Sequence, residues 1–223
     1  MDKKLFIQAS TRFILGLIVI ALLLFVSSGT LNYWNAWLFM GILFIPMFIA
    51  GIVLMIQNPG LLRKRLNAAE KEPEQKRVIM LGGAMFLCGF IIAGLDYRFG
   101  WLYLPKLVSI IAAIIFLLAY MLYAEVLREN TYLSRTVEIQ DHQKVIDTGL
   151  YGIIRHPMYS ATIFLFLTIP LVLGSLFSFF VFLIYPILIT KRIKNEEHVL
   201  EEGLEGYSDY KKRIKYRLIP FVW

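Results

Sequence analysis

The stretch that decides the fold is MYSATIFLFLTIPLVLGSLFSFFVFLIYPILIT, residues 158–190. A membrane-spanning helix needs about 20 apolar residues, because each residue advances the helix by about 1.5 Å. This stretch is therefore too long for one span. It predicts a helical hairpin that folds back near Pro170, Gly174 and Ser175.

Four further apolar blocks precede this hairpin, and they are Phe13–Val26, Trp34–Ile56, Val78–Leu95 and Leu104–Ala124. Apolar residues make up 58% of the chain and its mean hydropathy is +0.66. These values exclude an ordinary soluble domain. We predict an all-α polytopic membrane protein with about six transmembrane helices. Residues 1–124 would hold four spans, and residues 125–223 would hold the hairpin and a polar tail.

The basic residues are distributed very unevenly between the predicted loops. Of the 23 Lys and Arg residues, 21 lie before the first helix, in the two long loops or after the sixth helix. Only Arg98 and Lys106 fall on the other side. The positive-inside rule then predicts an integral, multi-pass protein with both termini in the cytosol. We read the net charge of +7 as membrane topology, and we expect contact with membrane lipids and none with nucleic acid.

Two other classes of site have little support in the sequence. Cys88 is the single cysteine, so we expect neither a disulfide framework nor a metal site. The predicted spans carry few ionisable groups, whereas a transporter usually needs them near the bilayer midplane. A transporter or scaffold is therefore the weaker, non-enzymatic alternative.

The polar segments differ in character. We expect residues 57–77 to be a solvated cytosolic connector. The loop 125–157 mixes charged and apolar residues, and Val137–Gln140 alternates like a short strand. The tail Lys191–Trp223 has apolar residues at roughly helical spacing. Loop and tail are therefore predicted to cover each other and to roof a pocket at the cytosolic membrane face.

Two polar motifs flank the predicted hairpin. The first is TGLYGIIRHPMY at 148–159, where Pro157 suits the first turn of a helix. Arg155 and His156 lie at the positive end of that helix, where a cation does not help helix stability. The second motif is RIKNEEHVL at 192–200, in which Arg192 and Glu196 share one helix face. The alternative for that pair is an exposed ion pair of little energetic value. A hairpin brings both motifs to the same membrane face, which favours a functional site.

These two motifs, followed by YSDYKKRIKYRLIP at 207–220, resemble the isoprenylcysteine carboxyl methyltransferase family and its phospholipid methyltransferase relatives. The resemblance covers about the last 100 residues. It implies that S-adenosylmethionine binds in a cytosol-facing pocket formed by the loop, the Arg-His-Pro turn and the tail. It also implies that a lipophilic or prenylated substrate reaches this pocket from the bilayer.

The resemblance assigns roles to individual residues. The cofactor-binding set that it implies is Gln143, Lys144, Val145, Ile146, Tyr151, His156, Pro157, Met158, Tyr159 and Glu196. Whether His142 or Gln143 makes the first contact stays open, because relatives often have histidine at the start of this segment. Arg192 and Glu196 would form the catalytic pair, with Arg192 and Arg155 as the substrate-binding residues. Leu150 departs from the family pattern, in which many relatives carry proline or a small residue.

The acceptor determines how much proton transfer the reaction needs. A carboxylate oxygen is already nucleophilic, so positioning and desolvation would supply the rate, with Arg192 orienting the carboxylate. A phospholipid or other lipid amine would need a base, for which Glu196, Glu197 or His156 are candidates. A third alternative is an NADPH-dependent sterol or enone reductase, because such enzymes resemble this family in the same region.

Overall fold

The computed structural model describes residues 3–67, 70, 73–134, 136 and 139–223. Its α-helices are α1 (Lys3–Ser28), α2 (Trp34–Gln57), α3 (Pro59–Leu66), α4 (Pro73–Phe99), α5 (Lys106–Glu129), α6 (Pro157–Val172), α7 (Leu176–Phe182), α8 (Ile184–Gly203) and α9 (Tyr207–Arg213). A short 3₁₀ helix covers Gly149–Gly152.

Five of the helical segments are long and apolar enough to cross a membrane. They are α1, α2, α4 from Gln75 onward, α5, and the run Leu176–Gly203 that α7 and α8 form together. The helix α6 is also apolar but shorter, with 16 residues. The protein is therefore an all-α polytopic membrane protein, as the sequence predicts, with five long apolar helices and one shorter one.

The predicted hairpin is present, and its turn lies where the sequence indicates. The helix α6 ends at Val172, and Gly174 adopts a left-handed backbone conformation with a φ of 78°. The side chain of Ser175 then caps α7 by accepting a hydrogen bond from the Ser178 amide. Glycine suits this turn because residues with a Cβ rarely adopt positive φ.

A buried polar network holds the hairpin turn against the other spans. The Asn35 amide nitrogen donates to Ser109 Oγ at 2.9 Å and to the Val172 carbonyl at 2.7 Å. The Tyr33 hydroxyl donates to the Leu173 carbonyl at 2.6 Å. The last carbonyls of a helix lack partners within that helix, so these side chains satisfy the end of α6 in an apolar environment.

One apolar core joins the two predicted segments of the chain. Phe39 and Phe116 come from residues 1–124, and Phe182 and Ile193 come from residues 125–223, yet all four are fully buried in the same cluster. Aromatic contacts extend across it, with the Phe39 and Phe116 ring centroids 6.1 Å apart. The division at residue 124 stays a prediction about function, since both segments contribute to a single core.

The expectation of a solvated connector at residues 57–77 is only partly confirmed, because one face of it is buried while residues such as Gln57, Arg63 and Arg77 are exposed. Asn58 begins α3 by accepting a hydrogen bond from the Leu61 amide, and Leu61 is almost fully buried. Gln75, at the start of α4, is only 1% exposed. The reason is that α3 places apolar side chains on one face, and that face packs while Arg63 and Asn67 remain exposed.

Loop and tail do cover each other, as predicted. Their contact is an apolar cluster of Ile139, Val145, Leu200, Leu204, Tyr207, Tyr210 and Ile214. The predicted strand at Val137–Gln140 lies partly outside the described residues, because Val137 and Glu138 are not among them, while Ile139 and Gln140 are irregular.

Candidate active site

A buried carboxylate joins the loop, the last long helix and the tail. Glu197 on α8 is 2% exposed. Its Oε1 accepts from Arg155 Nε at 2.8 Å and lies 3.1 Å from His156 Nε2. Its Oε2 lies 2.8 Å from Arg217 Nη2. A buried charge with this many charge-assisted hydrogen bonds is compensated, and removing it would leave its partners unpaired.

The Arg155 side chain forms several contacts with other residues of the protein. Besides Glu197, its guanidinium donates through Nη1 to the carbonyls of Ile214 at 2.6 Å and Lys215 at 2.9 Å. These contacts fasten the segment after α9 to the turn before α6. The unfavourable cations at the start of α6 are therefore explained by Glu197 and by tail carbonyls.

The backbone of the tail also pairs with this turn. The amides of Arg155 and His156 donate to the carbonyls of Tyr216 and Arg217, each at 2.9 Å. One turn further along α6, Ser160 Oγ donates to the Leu218 carbonyl at 2.6 Å. The tail thus lies along the first turn of a membrane helix.

Beside this cluster is a cavity of about 870 Å³, including the part open to solvent. The predicted site residues that line it are Gln143, Lys144, Val145, Ile146, Tyr151, Arg155, His156, Met158, Tyr159, Arg192 and Glu196. The structure therefore brings together residues that the sequence separates by more than 50 positions, and their roles stay predictions.

Two candidate positions do not line the cavity. Pro157 is the first residue of α6, where it sets the helix direction. His142 is exposed, adopts a φ of 57° and has its carbonyl bonded by the Tyr132 hydroxyl. The geometry therefore favours Gln143 over His142 as the residue that begins the cavity wall.

Tyr159 lies between the two residues of the predicted catalytic pair. Arg192 Nε donates to the Tyr159 hydroxyl at 2.8 Å, and that hydroxyl donates to the Glu196 carboxylate. Both Arg192 and Glu196 are half-buried at the cavity wall. The alternative of an exposed surface ion pair does not fit this arrangement.

The sequence did not identify several tyrosines of the cavity. Tyr132, Tyr207 and Tyr210 line it together with the predicted Tyr151 and Tyr159. Burial raises the pKa of Tyr151, Tyr207 and Tyr210 above the ordinary value for tyrosine, so their hydroxyls stay protonated. The Tyr207 hydroxyl is buried without a hydrogen-bond partner among the described residues. The signal for Tyr207 and Tyr210 was the helical spacing of apolar residues in the tail, and the signal for Tyr132 was the apolar content of the loop.

Gly149 fixes the position of the loop before α6. Its φ is 54°, and a side chain there would overlap the carboxylate of Glu129. That carboxylate accepts from the Leu150 amide at 3.0 and 3.2 Å. Because α5 ends at Glu129, this contact ties the 3₁₀ helix that carries Tyr151 to a membrane span.

The connector from the N-terminal half completes the outside of this wall. Arg65 on α3 donates to the Ser134 carbonyl at 3.3 Å and to the Tyr123 hydroxyl. Its Nη1 also lies 3.9 Å from the Met158 sulfur. At the start of α4, the Gln75 side chain donates to the Arg192 carbonyl at 3.4 Å. Sequence reasoning missed these contacts because nothing in the local pattern links the connector to the later motifs.

A cavity at the charged end of a membrane helix hairpin defines a class of protein: a polytopic membrane protein with a small-molecule site at one membrane face. Residues 109–202 match the sequence model of the Isoprenylcysteine carboxyl methyltransferase (ICMT) family. The match contains the Arg-His-Pro turn, the hairpin, Arg192 and Glu196, and it confirms the resemblance over that segment. It supports a membrane methyltransferase.

A curated relative also matches a part of the chain. The Delta(14)-sterol reductase TM7SF2 of Mus musculus is 28% identical over 91 residues, which are 40% of this chain and 22% of that protein. The chain thus spans about a fifth of the length of the curated relative that it matches.

Proposed function

We propose that this protein transfers a methyl group from S-adenosylmethionine to a lipophilic acceptor, most like the carboxyl O-methylation of an isoprenylcysteine. The observation that carries the proposal is the polar cavity at the ends of α5, α6 and α8, which lies largely within the segment that matches the methyltransferase family. Arg192 lines the cavity and lies on the candidate membrane span Leu176–Gly203, so we propose that a polar cofactor and an apolar acceptor meet beside it.

The cavity residues fit this cofactor chemically. A sulfonium cation is favoured by aromatic faces and by a nearby carboxylate, and the cavity offers five tyrosines and Glu196. The tyrosine hydroxyls that line the cavity stay protonated, because burial raises the pKa of Tyr151, Tyr207 and Tyr210, so they can offer hydrogen bonds without adding charge. When bound, S-adenosylmethionine supplies an electrophilic methyl carbon.

The chain's own residues would position the acceptor. Tyr159 holds Arg192 through Nε, and Glu196 holds the Tyr159 hydroxyl in turn. In this proposal the Arg192 guanidinium, which lines the cavity, orients the acceptor carboxylate by a charge-assisted contact. Methyl transfer to a carboxylate then needs positioning and exclusion of water, with no proton transfer.

Arg155 takes a different role from the one that the sequence implied. Its donors bind Glu197 and the carbonyls of Ile214 and Lys215, so we assign it to holding the tail. Substrate binding then rests on Arg192.

If the acceptor is a phospholipid or another lipid amine, the reaction needs a base. Glu197 is committed to its three basic partners, whereas Glu196 faces the cavity through Tyr159. The Glu196–Tyr159 pair would therefore be the proton acceptor in that alternative.

An NADPH-dependent reductase is the second candidate, because the sterol reductase matches this same part of the chain. NADPH carries several phosphates, which require cations or amide groups. Among the cavity-lining lysines and arginines, Arg155 is bonded to Glu197, so Arg192 and the exposed Lys144 are the two that we propose as candidates for a bound anion, which is few for several phosphates. This distribution of charge favours the S-adenosyl cofactor.

The experiment is a methyl-transfer assay on the purified protein in lipid nanodiscs. The donor is S-adenosylmethionine with a radiolabelled methyl group, and the acceptors are an S-prenylated N-acylcysteine and a total lipid extract. We expect label in the organic phase, released by mild base as a methyl ester is. Base-stable label would indicate N-methylation, and no label with either acceptor would contradict the proposal.

A further inference from the structure

The end of the tail, residues 218–223, forms an ordered turn with an apolar outer surface. The amides of Arg217 and Leu218 donate to the Trp223 carbonyl at 2.8 and 2.9 Å, and the Arg217 guanidinium lies 5.0 Å from the Trp223 ring centroid. Leu218 is 9% exposed and packs in the membrane core, with Trp223 against it. The inner side of the turn is therefore fixed to the bundle.

The outer side of this turn carries three exposed apolar side chains. Phe221 is 88% exposed, Val222 is 75% exposed and Ile219 is 47% exposed. Phe221 adopts a φ of 65°, which is uncommon for a residue with a side chain. The backbone thus holds an aromatic residue outward at some conformational cost, and Tyr216 contacts its ring at 5.2 Å between centroids.

Two observations indicate what covers this surface. The turn lies at the depth of the first turn of α6, because Ser160 bonds to the Leu218 carbonyl, and α6 is an apolar membrane helix. The apolar run also follows directly on a basic segment made of Lys211, Lys212, Arg213, Lys215 and Arg217. Apolar and aromatic residues beside Lys and Arg are typical of segments that lie in the boundary between lipid headgroups and acyl chains.

We propose that residues 218–223 are a membrane-interface anchor, which inserts Phe221 and Val222 into the leaflet at the charged end of the bundle, with the exposed Lys212, Arg213 and Lys215 toward anionic headgroups. The anchor is connected to the candidate active site through Arg217, which pairs with Glu197. If the proposed function holds, insertion of the turn also supports the cofactor cavity, because Glu197 fixes Arg155 and His156.

The test measures depth in the bilayer and needs no cofactor. Cys88 is exposed, so it is first replaced by serine to leave no other thiol. Val222→Cys is then labelled with an environment-sensitive fluorophore, and Glu202→Cys, which is exposed near the end of α8, is the matched control. Both proteins are studied in nanodiscs whose lipids carry bromine on the acyl chains.

We expect the label at position 222 to be quenched at least several-fold more strongly than the label at position 202, with a further increase when anionic lipid is added. Equal quenching at the two positions would overturn the anchor, whether or not the protein is a methyltransferase. A label could itself alter the turn, so Phe221→Ser with Val222→Ser supplies a second measurement. This double variant should bind S-adenosylhomocysteine several-fold more weakly in anionic nanodiscs, whereas wild-type affinity in the double variant would remove the link between the anchor and the cavity.

Discussion

Glu196 and Glu197 are consecutive on α8, but their carboxylates have different partners. Glu196 accepts a hydrogen bond from Tyr159 at the cavity wall, and Glu197 is buried among Arg155, His156 and Arg217. Successive residues of an α-helix differ in direction by about 100°. One carboxylate therefore belongs to the candidate active site and its neighbour to the structure that holds the site together.

This relationship predicts different effects for two matched substitutions. Glu197→Gln should destabilise the protein by about 3 to 5 kcal/mol, because it leaves buried basic groups without a countercharge. Glu196→Gln should change the stability of the protein little, and it should weaken the binding of the cofactor. Thermal unfolding in the same lipid or detergent separates the two variants, with Glu202→Gln, an exposed position on α8, as the control. Equal stability of both variants would contradict the assignment.

Arg192 provides the test of acceptor binding. Arg192→Ala should abolish methyl transfer while leaving the affinity for S-adenosylhomocysteine within a few-fold of the wild type, because we propose that Arg192 binds the acceptor and not the cofactor. Arg192→Lys should rescue transfer poorly, since an ammonium lacks the planar fork. Lys191→Ala is the control, because Lys191 is exposed on the preceding position of α8. A large loss of cofactor affinity in Arg192→Ala would indicate that Arg192 binds the cofactor instead of the acceptor.

The contacts of Arg65 on α3 predict that the N-terminal half contributes to the candidate active site. Arg65→Ala removes the contacts with Ser134, Tyr123 and Met158, so we expect S-adenosylhomocysteine to bind several-fold more weakly. Arg63→Ala changes an exposed basic residue on the same helix and should have little effect. Unchanged affinity in Arg65→Ala would show that α3 is not needed to shape the cavity.

Membrane orientation stays a prediction from the distribution of Lys and Arg. Reporter domains fused at Asp2 and at Trp223 should both report the cytosol. Reporters on opposite sides would mean that the short helix α6 does not span the membrane together with the run Leu176–Gly203. Two outward-facing reporters would reverse the orientation and move the cavity to the other side.

The sequence predicted the spans well because membrane helices follow from local composition. The apolar blocks beginning at Phe13 and Trp34 lie within α1 and α2, and the hairpin turns at Gly174 as expected. Local composition is sufficient here because a lipid-facing helix must satisfy its own backbone and present apolar side chains. The sequence determines the number of spans less well, since α6 has 16 residues and is shorter than a typical membrane-spanning helix.

Residues of the candidate active site could be predicted only where they belong to one of the two sequence motifs. Most of the predicted residues between Gln143 and Tyr159, together with Arg192 and Glu196, line one cavity because the hairpin joins their two motifs. The role of Glu197 was not evident, because its partner Arg217 is 20 residues away and contributes through the folded tail. Arg65 and Gln75 were missed for the same reason, since contacts between distant segments depend on packing that no local pattern encodes.

Calorimetric titration of the purified protein in nanodiscs tests most directly whether the cavity binds an S-adenosyl cofactor. The protein should bind S-adenosylhomocysteine with saturable affinity, NADPH should not compete, and Tyr159→Phe should weaken binding because it removes the hydroxyl that joins Arg192 and Glu196. Saturable binding of NADPH without binding of S-adenosylhomocysteine would contradict the account and would favour a reductase.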